Sequence, residues 1–466
     1  MLFGFGQKPD VAIYASRRKS LVQAIKDAQG FDGKMLFISG FEREAVAFTQ
    51  ESSFYYLTGI NEPGVALLVD ATGHSTLYIP SYKESRAKWM GSFIEPTQEW
   101  AVTLGVNAIA FLGQACEGYL FGPFFDNSMY ASLIEQLKEI GDTQALYTLM
   151  PADMNSYCEQ RLVMQRLQTM VPSLVRAVKD ISALVADLRS SKDMGEIELL
   201  KGAVNITIIA HEAAAQTIGN DIPELDVKAS LEGVMTMAGA RIAFPSIVAS
   251  GKDSIILHSI ENNKTMKNGD LVIVDIGASY HRYAADLTRT YPVSGVFSKR
   301  QREVYDIVLA AQEHVADMAQ SGFYLSNKNH PTKSLHHIAH KFFADRGYGH
   351  YFTHGIGHYL GIDVHDVGDY SRPLREGDII TLEPGLYIPE ENIGIRIEDN
   401  YWIIKKGAIC LSEELPKTAD DIELFMQESL SQEEQDSYDD EEDGDDDDDD
   451  DCQDSFGFHG DCGTEH

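Results

Sequence analysis

Apolar residues run through this chain in short, dense blocks whose period changes along its length. Near the amino terminus, residues 17–29 carry apolar positions at helical spacing, and the runs at 34–38, 65–69 and 75–79 have the length and composition of buried strands. Alternation of such runs with helical stretches predicts an α/β domain over residues 1–175. Residues 150–157, with Pro151 and Asn155, read as a loop near its end, and 173–188 has helical periodicity suited to a link between domains. Farther on, Leu271-Val-Ile-Val-Asp275-Ile is apolar on both faces, and Tyr283-Ala-Ala-Asp286-Leu-Thr-Arg-Thr290 reads as its return strand. Thr381-Leu-Glu383-Pro-Gly-Leu-Tyr-Ile388 and Asn392-Ile-Gly-Ile-Arg396-Ile-Glu398-Asp399 form a second hairpin of the same kind.

The acids inside these apolar strands change the picture. A turn centred on Tyr280 and His281 would set Asp275 opposite Asp286, and one at Glu390 and Glu391 would set Glu383 opposite Glu398. Like charges so placed repel. Burying them unpaired would cost several kcal/mol each or raise their pKa until they were neutral, and divalent cations remove that cost. A single acid-bearing hairpin is ordinarily a surface element; two with the same symmetry, in apolar runs, are not. Between them lies His354-Gly-Ile-Gly-His358, whose glycines, with Gly361, oppose a helix and favour a loop or bent strand. His365 follows and His258 lies upstream. One histidine with four carboxylates is a hard, oxygen-rich shell suited to a pair of Mn²⁺, Co²⁺ or Zn²⁺ ions, whereas a structural zinc site would use thiolates.

From about Leu188 to Met426 the sequence resembles the catalytic domain of the metallopeptidases with the pita-bread fold, closest to the Xaa-Pro branch, aminopeptidase P and prolidase. The resemblance rests on Ile256-Leu-His258, Asp275-Ile-Gly, Asp286-Leu-Thr-Arg-Thr290, His354-Gly-Ile-Gly-His358, Asp363-Val-His365-Asp-Val-Gly368, Glu383-Pro-Gly and Arg396-Ile-Glu398-Asp399. It extends forward through Gln50-Glu-Ser-Ser-Phe-Tyr-Tyr-Leu-Thr-Gly-Ile-Asn-Glu-Pro63, similar to a segment of the amino-terminal domain of both Xaa-Pro enzymes. The architecture implied is α/β (α+β): a creatinase/aminopeptidase P-like domain over 1–175, then a pita-bread catalytic domain over 176–427.

The resemblance also implies roles. Asp275 would bind one metal ion, Asp286 and Glu398 would bridge two, and His358 with Glu383 would bind the second, with Mn²⁺ the first expectation and Co²⁺ or Zn²⁺ the alternatives. A hydroxide between the ions would attack the peptide, Glu383 would be the general base, and His258, His354 and His365 would hold substrate and oxyanion. Arg396, on the same strand face as Glu398, would support the carboxylates from behind. The reaction implied is release of the amino-terminal residue from peptides with proline second. Prolidase, acting on Xaa-Pro dipeptides, is the alternative; creatinase and non-catalytic pita-bread proteins that bind histones or peptides are further rivals, which typically lack the full ligand set. The 24 residues between His358 and Glu383, and 14 between Glu383 and Glu398, resemble the compact spacing of bacterial aminopeptidase P. Arg86-Ala-Lys-Trp89 resembles the place where that branch carries a tryptophan reaching a neighbouring subunit, which implies a homo-oligomer, dimer or tetramer; an ordinary packed aromatic is the other reading of Trp89.

Composition sets outer bounds. A chain of 466 residues with 44% hydrophobic content exceeds one ordinary core, and none of its apolar runs approaches a membrane span. The first ten residues do not read as a secretory signal, and the five cysteines show no CxxC spacing, so a reducing cytoplasm is the expected home. The net charge is −34, but residues 428–466 hold 19 acids and no Lys or Arg, leaving 53 acids against 38 bases before them. With its aspartate run at 445–451, this tail is expected to be disordered. Nucleic acid is not an expected partner of either part.

Overall fold

The computed structural model describes residues 10–427 apart from 84, 92–93, 123–125, 141–143 and 154. The acidic tail expected to be disordered lies outside the described residues. A six-stranded sheet comes first, built from β1 (Lys34–Ile38), β2 (Ala66–Asp70), β3 (Ser75–Ile79), β4 (Ala108–Phe111), β5 (Leu146–Thr148) and β6 (Val178–Asp180) in the order β4-β3-β2-β1-β5-β6. β2 is antiparallel to both its neighbours, and the outer pairs are parallel. Its first helix, Ala12–Gln29, begins five residues before the apolar periodicity announces it, because the Asp10 side chain accepts the Ala12 N–H at 2.9 Å and nucleates an earlier turn. The stretch 173–188 is not one helix: Leu174–Ala177 and Ser182–Ser190 are helical, and β6 lies between them. Pairing of Val178 with Leu146 at the sheet edge outweighs the local helical pattern, and Asp180 caps the second helix through the Ser182 N–H.

The second part repeats a motif. Two helices, Met194–Thr217 and Glu224–Met237, pack on each other and are followed by β7 (Arg241–Ile242), β8 (Ile247–Ser250), β9 (Leu271–Ile276), β10 (Ala278–Tyr280), β11 (Tyr283–Ala284) and β12 (Leu287–Pro292). Two more, Lys299–Met318 and Leu335–Ala344, precede β13 (Ile379–Leu382), β14 (Gly385–Ile388), β15 (Ile393–Arg396), β16 (Asp399–Ile403) and β17 (Ala408–Cys410). The longest helix of each half starts with a reciprocal cap, Asp193 with Glu196 and Ser298 with Gln301. An antiparallel bridge between Thr288 and Glu398 joins the strands of the two halves edge to edge, in the duplicated pita-bread arrangement. No helix among the described residues is long and apolar enough to cross a membrane.

Period-two alternation sorts the residues at that junction. Thr288 and Glu398 turn to one face, where they meet, while Arg289 and Asp399 turn to the other and are fully buried. Arg289 Nη2 donates to Asp399 Oδ1 at 2.7 Å, and its remaining donors reach the carbonyls of Thr288, Glu398, Leu415 and Pro416. Arg289→Met would leave Asp399 buried with only Ser412 and Lys417 as partners. We expect it to lower unfolding free energy by about 3–5 kcal/mol, read as a reduced urea midpoint; an unchanged midpoint would refute this account of the junction.

Candidate metal centre

The first hairpin turns one residue later than its pattern predicts. His281 and Arg282 both have positive φ, 46° and 77°, the signature of a two-residue turn whose twist matches its strands. Neither is Gly, Asn or Asp, so no sequence signal marks it. Ser279 therefore pairs with Ala284 and Asp275 with Thr288. The expected Asp275–Asp286 pairing is replaced by a diagonal relation, with Asp286 two residues from the partner of Asp275. The second hairpin keeps its expected register: Leu382 opposes Asp399 and Gly385 opposes Arg396, and the same offset sets Glu383 opposite Glu398.

The histidine motif is a loop, as its glycines predict. It runs against the Thr381 strand so closely that a Cβ on Gly357 would lie 2.0 Å from the Thr381 carbonyl oxygen. His358 N–H donates to Thr381 Oγ1, and Thr381 N–H returns a bond to the His358 carbonyl. Its ring Nδ1 lies 3.0 Å from the Tyr359 carbonyl, which assigns the proton to Nδ1 and leaves the Nε2 lone pair facing the acids. Nε2 is 3.2 Å from Asp286 Oδ2, 3.9 Å from Glu383 Oε1 and 4.0 Å from Glu398 Oε1. Asp286, His358 and Glu398 each offer a ligand atom within 4.8 Å of the others.

These acids are buried, and Asp275 Oδ1, Asp286 Oδ1 and Glu398 Oε1 have no hydrogen-bond partner. Burial first, then repulsion from Asp275 and Glu383, pushes the Asp286 carboxyl well above its ordinary range. Burial and the charges of Asp286, Glu383 and Asp275 do the same to Glu398. Burial raises Glu383 to about 7 against the pull of His358 and Arg396. Orphaned carboxylate oxygens beside an imidazole lone pair fit divalent cations, which supply the positive charge that the cluster lacks.

Arg396 supplies part of that charge from the protein. It donates through Nη2 to Asp275, through Nη1 to the Tyr387 hydroxyl at 2.9 Å and through Nε to Thr288 Oγ1 at 3.2 Å. Burial alone would lower its pKa, but Tyr387, Asp275 and Glu398 outweigh burial and raise it. Thr288 in turn donates to Glu398 Oε2 at 2.8 Å, and Asn400 brackets the Asp286 backbone, accepting its N–H and donating to its carbonyl. Thr288, Tyr387 and Asn400 escape the sequence reading. Tyr387 and Asn400 lie four residues past Glu383 and two past Glu398, but no local signal says which way they turn.

The remaining histidines line the same cleft, about 1370 Å³ in volume, which also takes in Tyr55, Asp363 and the two arginines Arg241 and Arg282. His365 stacks on His358 with ring centroids 4.1 Å apart, and burial lowers its pKa. His354 is lowered to about 4, by burial and then by Arg396, so it is neutral near pH 7. Its Nδ1 sits 2.8 Å from the Gly355 carbonyl and its Nε2 3.0 Å from the Tyr387 hydroxyl. Both nitrogens are thus engaged inside the protein, tying His354 to Asp275 through Tyr387 and Arg396. His258 lies on the cleft wall after the short helix Gly251–Ile255.

Comparison with known proteins agrees with this geometry. Residues 198–405 match the metallopeptidase family M24, and residues 14–116 match the aminopeptidase P amino-terminal domain. A Xaa-Pro aminopeptidase of Escherichia coli (strain K12) is 31% identical over 408 residues, covering 81% of this chain and 89% of that protein. A Xaa-Pro dipeptidase of Pyrococcus furiosus is 39% identical over 246 residues, but these span 52% of this chain and 68% of that one. The solved structure of a zinc-substituted E. coli aminopeptidase P in complex with product superposes with a TM-score of 0.76 at 27% identity, covering 91% of this chain and 99% of that one. The chain therefore belongs to metallopeptidase family M24, in its pita-bread Xaa-Pro branch, with the amino-terminal domain of aminopeptidase P.

Proposed function

We propose that this protein is a metal-dependent exopeptidase that releases the amino-terminal residue from peptides with proline in the second position. The observation that carries the reading is the set of partnerless carboxylate oxygens around His358 in a cleft walled by both domains. The family match of the amino-terminal domain, together with coverage of 81% of this chain by the E. coli aminopeptidase against 52% by the Pyrococcus dipeptidase, favours aminopeptidase over Xaa-Pro dipeptidase. The second reading, Xaa-Pro dipeptidase, rests on the higher identity of the Pyrococcus dipeptidase over its shorter aligned stretch, 39% against 31% for the E. coli aminopeptidase.

Asp275, Asp286, His358, Glu383 and Glu398 would hold two divalent ions, with Mn²⁺ the best match to their oxygen-rich set. Such ions supply Lewis acidity toward the scissile carbonyl and lower the pKa of water in the cleft. Glu383, raised to about 7 by burial, takes the proton of the attacking water at its carboxylate and passes it to the departing proline nitrogen. Arg396 holds Asp275 in place and, through Tyr387, holds His354. His258 and His365 face the substrate. The domain division at residue 175 belongs to the same reading; it falls just before β6, the last strand of the first sheet, so the helices on either side of β6 form the link. Trp89, 69% exposed and stacked on Tyr119 at 5.0 Å, is free to meet a second subunit of a dimer or tetramer. The free thiols of Cys116 and Cys410 suit a reducing cytoplasm.

Incubation with Xaa-Pro-Xaa peptides and Xaa-Pro dipeptides, with products separated by chromatography, tests the function. We expect release of the first residue from the longer peptides at least as fast as from dipeptides, and little action where alanine replaces proline. Cleavage confined to dipeptides would make the protein a prolidase. Asp286→Ala should abolish turnover, and Glu383→Gln should reduce it by about 10²–10⁴-fold while leaving the fold intact by circular dichroism. Persistent hydrolysis by Asp286→Ala with saturating Mn²⁺ would sink the two-ion site.

Metal removal has a pH signature. Without ions, Glu383 in the folded chain takes up its proton at about 7 rather than at 4.5. Between those values the folded state holds a proton that the unfolded state has lost, so the stripped protein loses stability as pH rises through this window. Asp286 and Glu398 are raised too and act in the same direction. The Tm gained by adding Mn²⁺ to chelator-treated protein should therefore be larger at about pH 8 than at about pH 5.5. An equal gain at both would contradict the buried-carboxylate account.

A further inference from the structure

Arg17, Arg86, Arg189, Arg289 and Arg396 are buried, and each meets a carboxylate; buried Arg18 gives its donors to two carbonyls. Arg282 is different. It is half-buried at the tight turn between β10 and β11, its Nε is enclosed without a partner, and its Nη2 donates to the Gln50 carbonyl at 2.6 Å. Its guanidinium lies over the Tyr55 ring, 5.3 Å from the centroid. Arg241, on β7 opposite Ser279 of β10, reaches the neighbouring residue of the same loop, with Nη1 3.4 Å from Thr49 Oγ1. Contacts to consecutive residues place both guanidinium groups on one stretch of the metal cleft's wall.

Neither arginine forms an ion pair among the described residues, in a chain with 72 acids to 38 bases. The nearest acids are committed elsewhere. Asp363 accepts from Arg189 and Ser52, and Glu51 accepts the backbone N–H groups of Ser53 and Phe54 at a helix start. Burial lowers the Arg282 pKa, and the charge of Arg241 pushes the same way against Asp363, Tyr55 and Glu51. Two like charges on one stretch of a cleft wall gain most from an anion that both can bind, and the planar guanidinium fork matches a carboxylate.

We propose that Arg241 and Arg282 form a carboxylate-binding subsite that selects peptide substrates bearing an anionic group near the scissile bond. The subsite rests on the aminopeptidase reading and adds a substrate class to it. Three parts of a peptide can present the carboxylate: an acidic first residue, an acidic residue beyond the proline, or the chain terminus of a tripeptide.

Four peptides separate these sources: Ala-Pro-Ala-amide as the neutral reference, Glu-Pro-Ala-amide, Ala-Pro-Glu-amide and Ala-Pro-Ala with a free carboxylate. With the Mn²⁺-loaded full chain, at least one anionic peptide should show kcat/KM about fivefold or more above the reference, chiefly through KM and less so at high salt. In Arg241→Gln/Arg282→Gln that ratio should fall to near one, and the double lysine variant should restore part of it. Equal efficiency on all four peptides, or a preference that survives the double glutamine variant, would overturn the subsite. Should the double variant not fold, the wild-type panel and the exposed single variant Arg241→Gln still decide, since the single change must also shrink the ratio. Failure to cleave any of the four peptides would instead count against the aminopeptidase reading itself.

Discussion

Carboxylates that repel one another are buried together where two hairpins meet, and much of the structure serves to hold them there. Left alone, they would protonate or separate. The protein answers with one fixed cation, Arg396, a hydroxyl from Thr288 and a histidine whose Nε2 lone pair points inward because its Nδ1–H donates to the Tyr359 carbonyl. Behind this layer the strands are pinned by Arg289 and Asp399 on their opposite face. A buried pair of that kind contributes little net stability, since desolvation offsets attraction, but it admits one geometry. That geometry sets the spacing of Thr288 and Glu398, the residues through which the two halves touch.

Close backbone approach is the second requirement. The His354–His358 loop lies against the Thr381 strand at a distance that only glycine permits, and Gly277 meets the Ala285 carbonyl in the same manner, 1.9 Å from where a Cβ would sit. Both contacts bring backbone closer than any side chain would allow, and so fix where His358, Asp275 and Asp286 sit beside them.

The amino-terminal domain is coupled to this centre rather than merely attached. Asp366, buried beside His365, accepts from Arg189 and Lys192, and Arg189 also reaches Asp363 and Ser53. Arg17 binds Asp193 and Glu196 at the start of the first helix of the second domain. One hydrophobic cluster contains Tyr55 and Leu57 from the first domain together with Tyr283, Leu360 and Ile379 from the second. These contacts fix the angle at which the domains meet, so the cleft walls keep their separation and the loop at Thr49 and Gln50 stays within reach of Arg241 and Arg282.

Much of this was legible in the chain itself. Strands β1 and β3, the apolar hairpins, the loop nature of the histidine segment and the facing of Glu383 and Glu398 all follow from period, glycine placement and distance from a turn, which are local properties. The offset of Asp286 from Asp275 was not, because His281 and Arg282 adopt a turn that their side chains do not advertise. Nor was β6, where pairing with a distant edge strand overrode a helical pattern. The bonds of Arg396, Tyr387, Thr288 and Asn400 likewise join residues up to 121 positions apart. The sequence by itself determined which side chains could carry charge and which segments would be strands. Only the tertiary structure decided which of them meet, because that depends on register and chain reversal, where a shift of one residue turns every side chain to the other face.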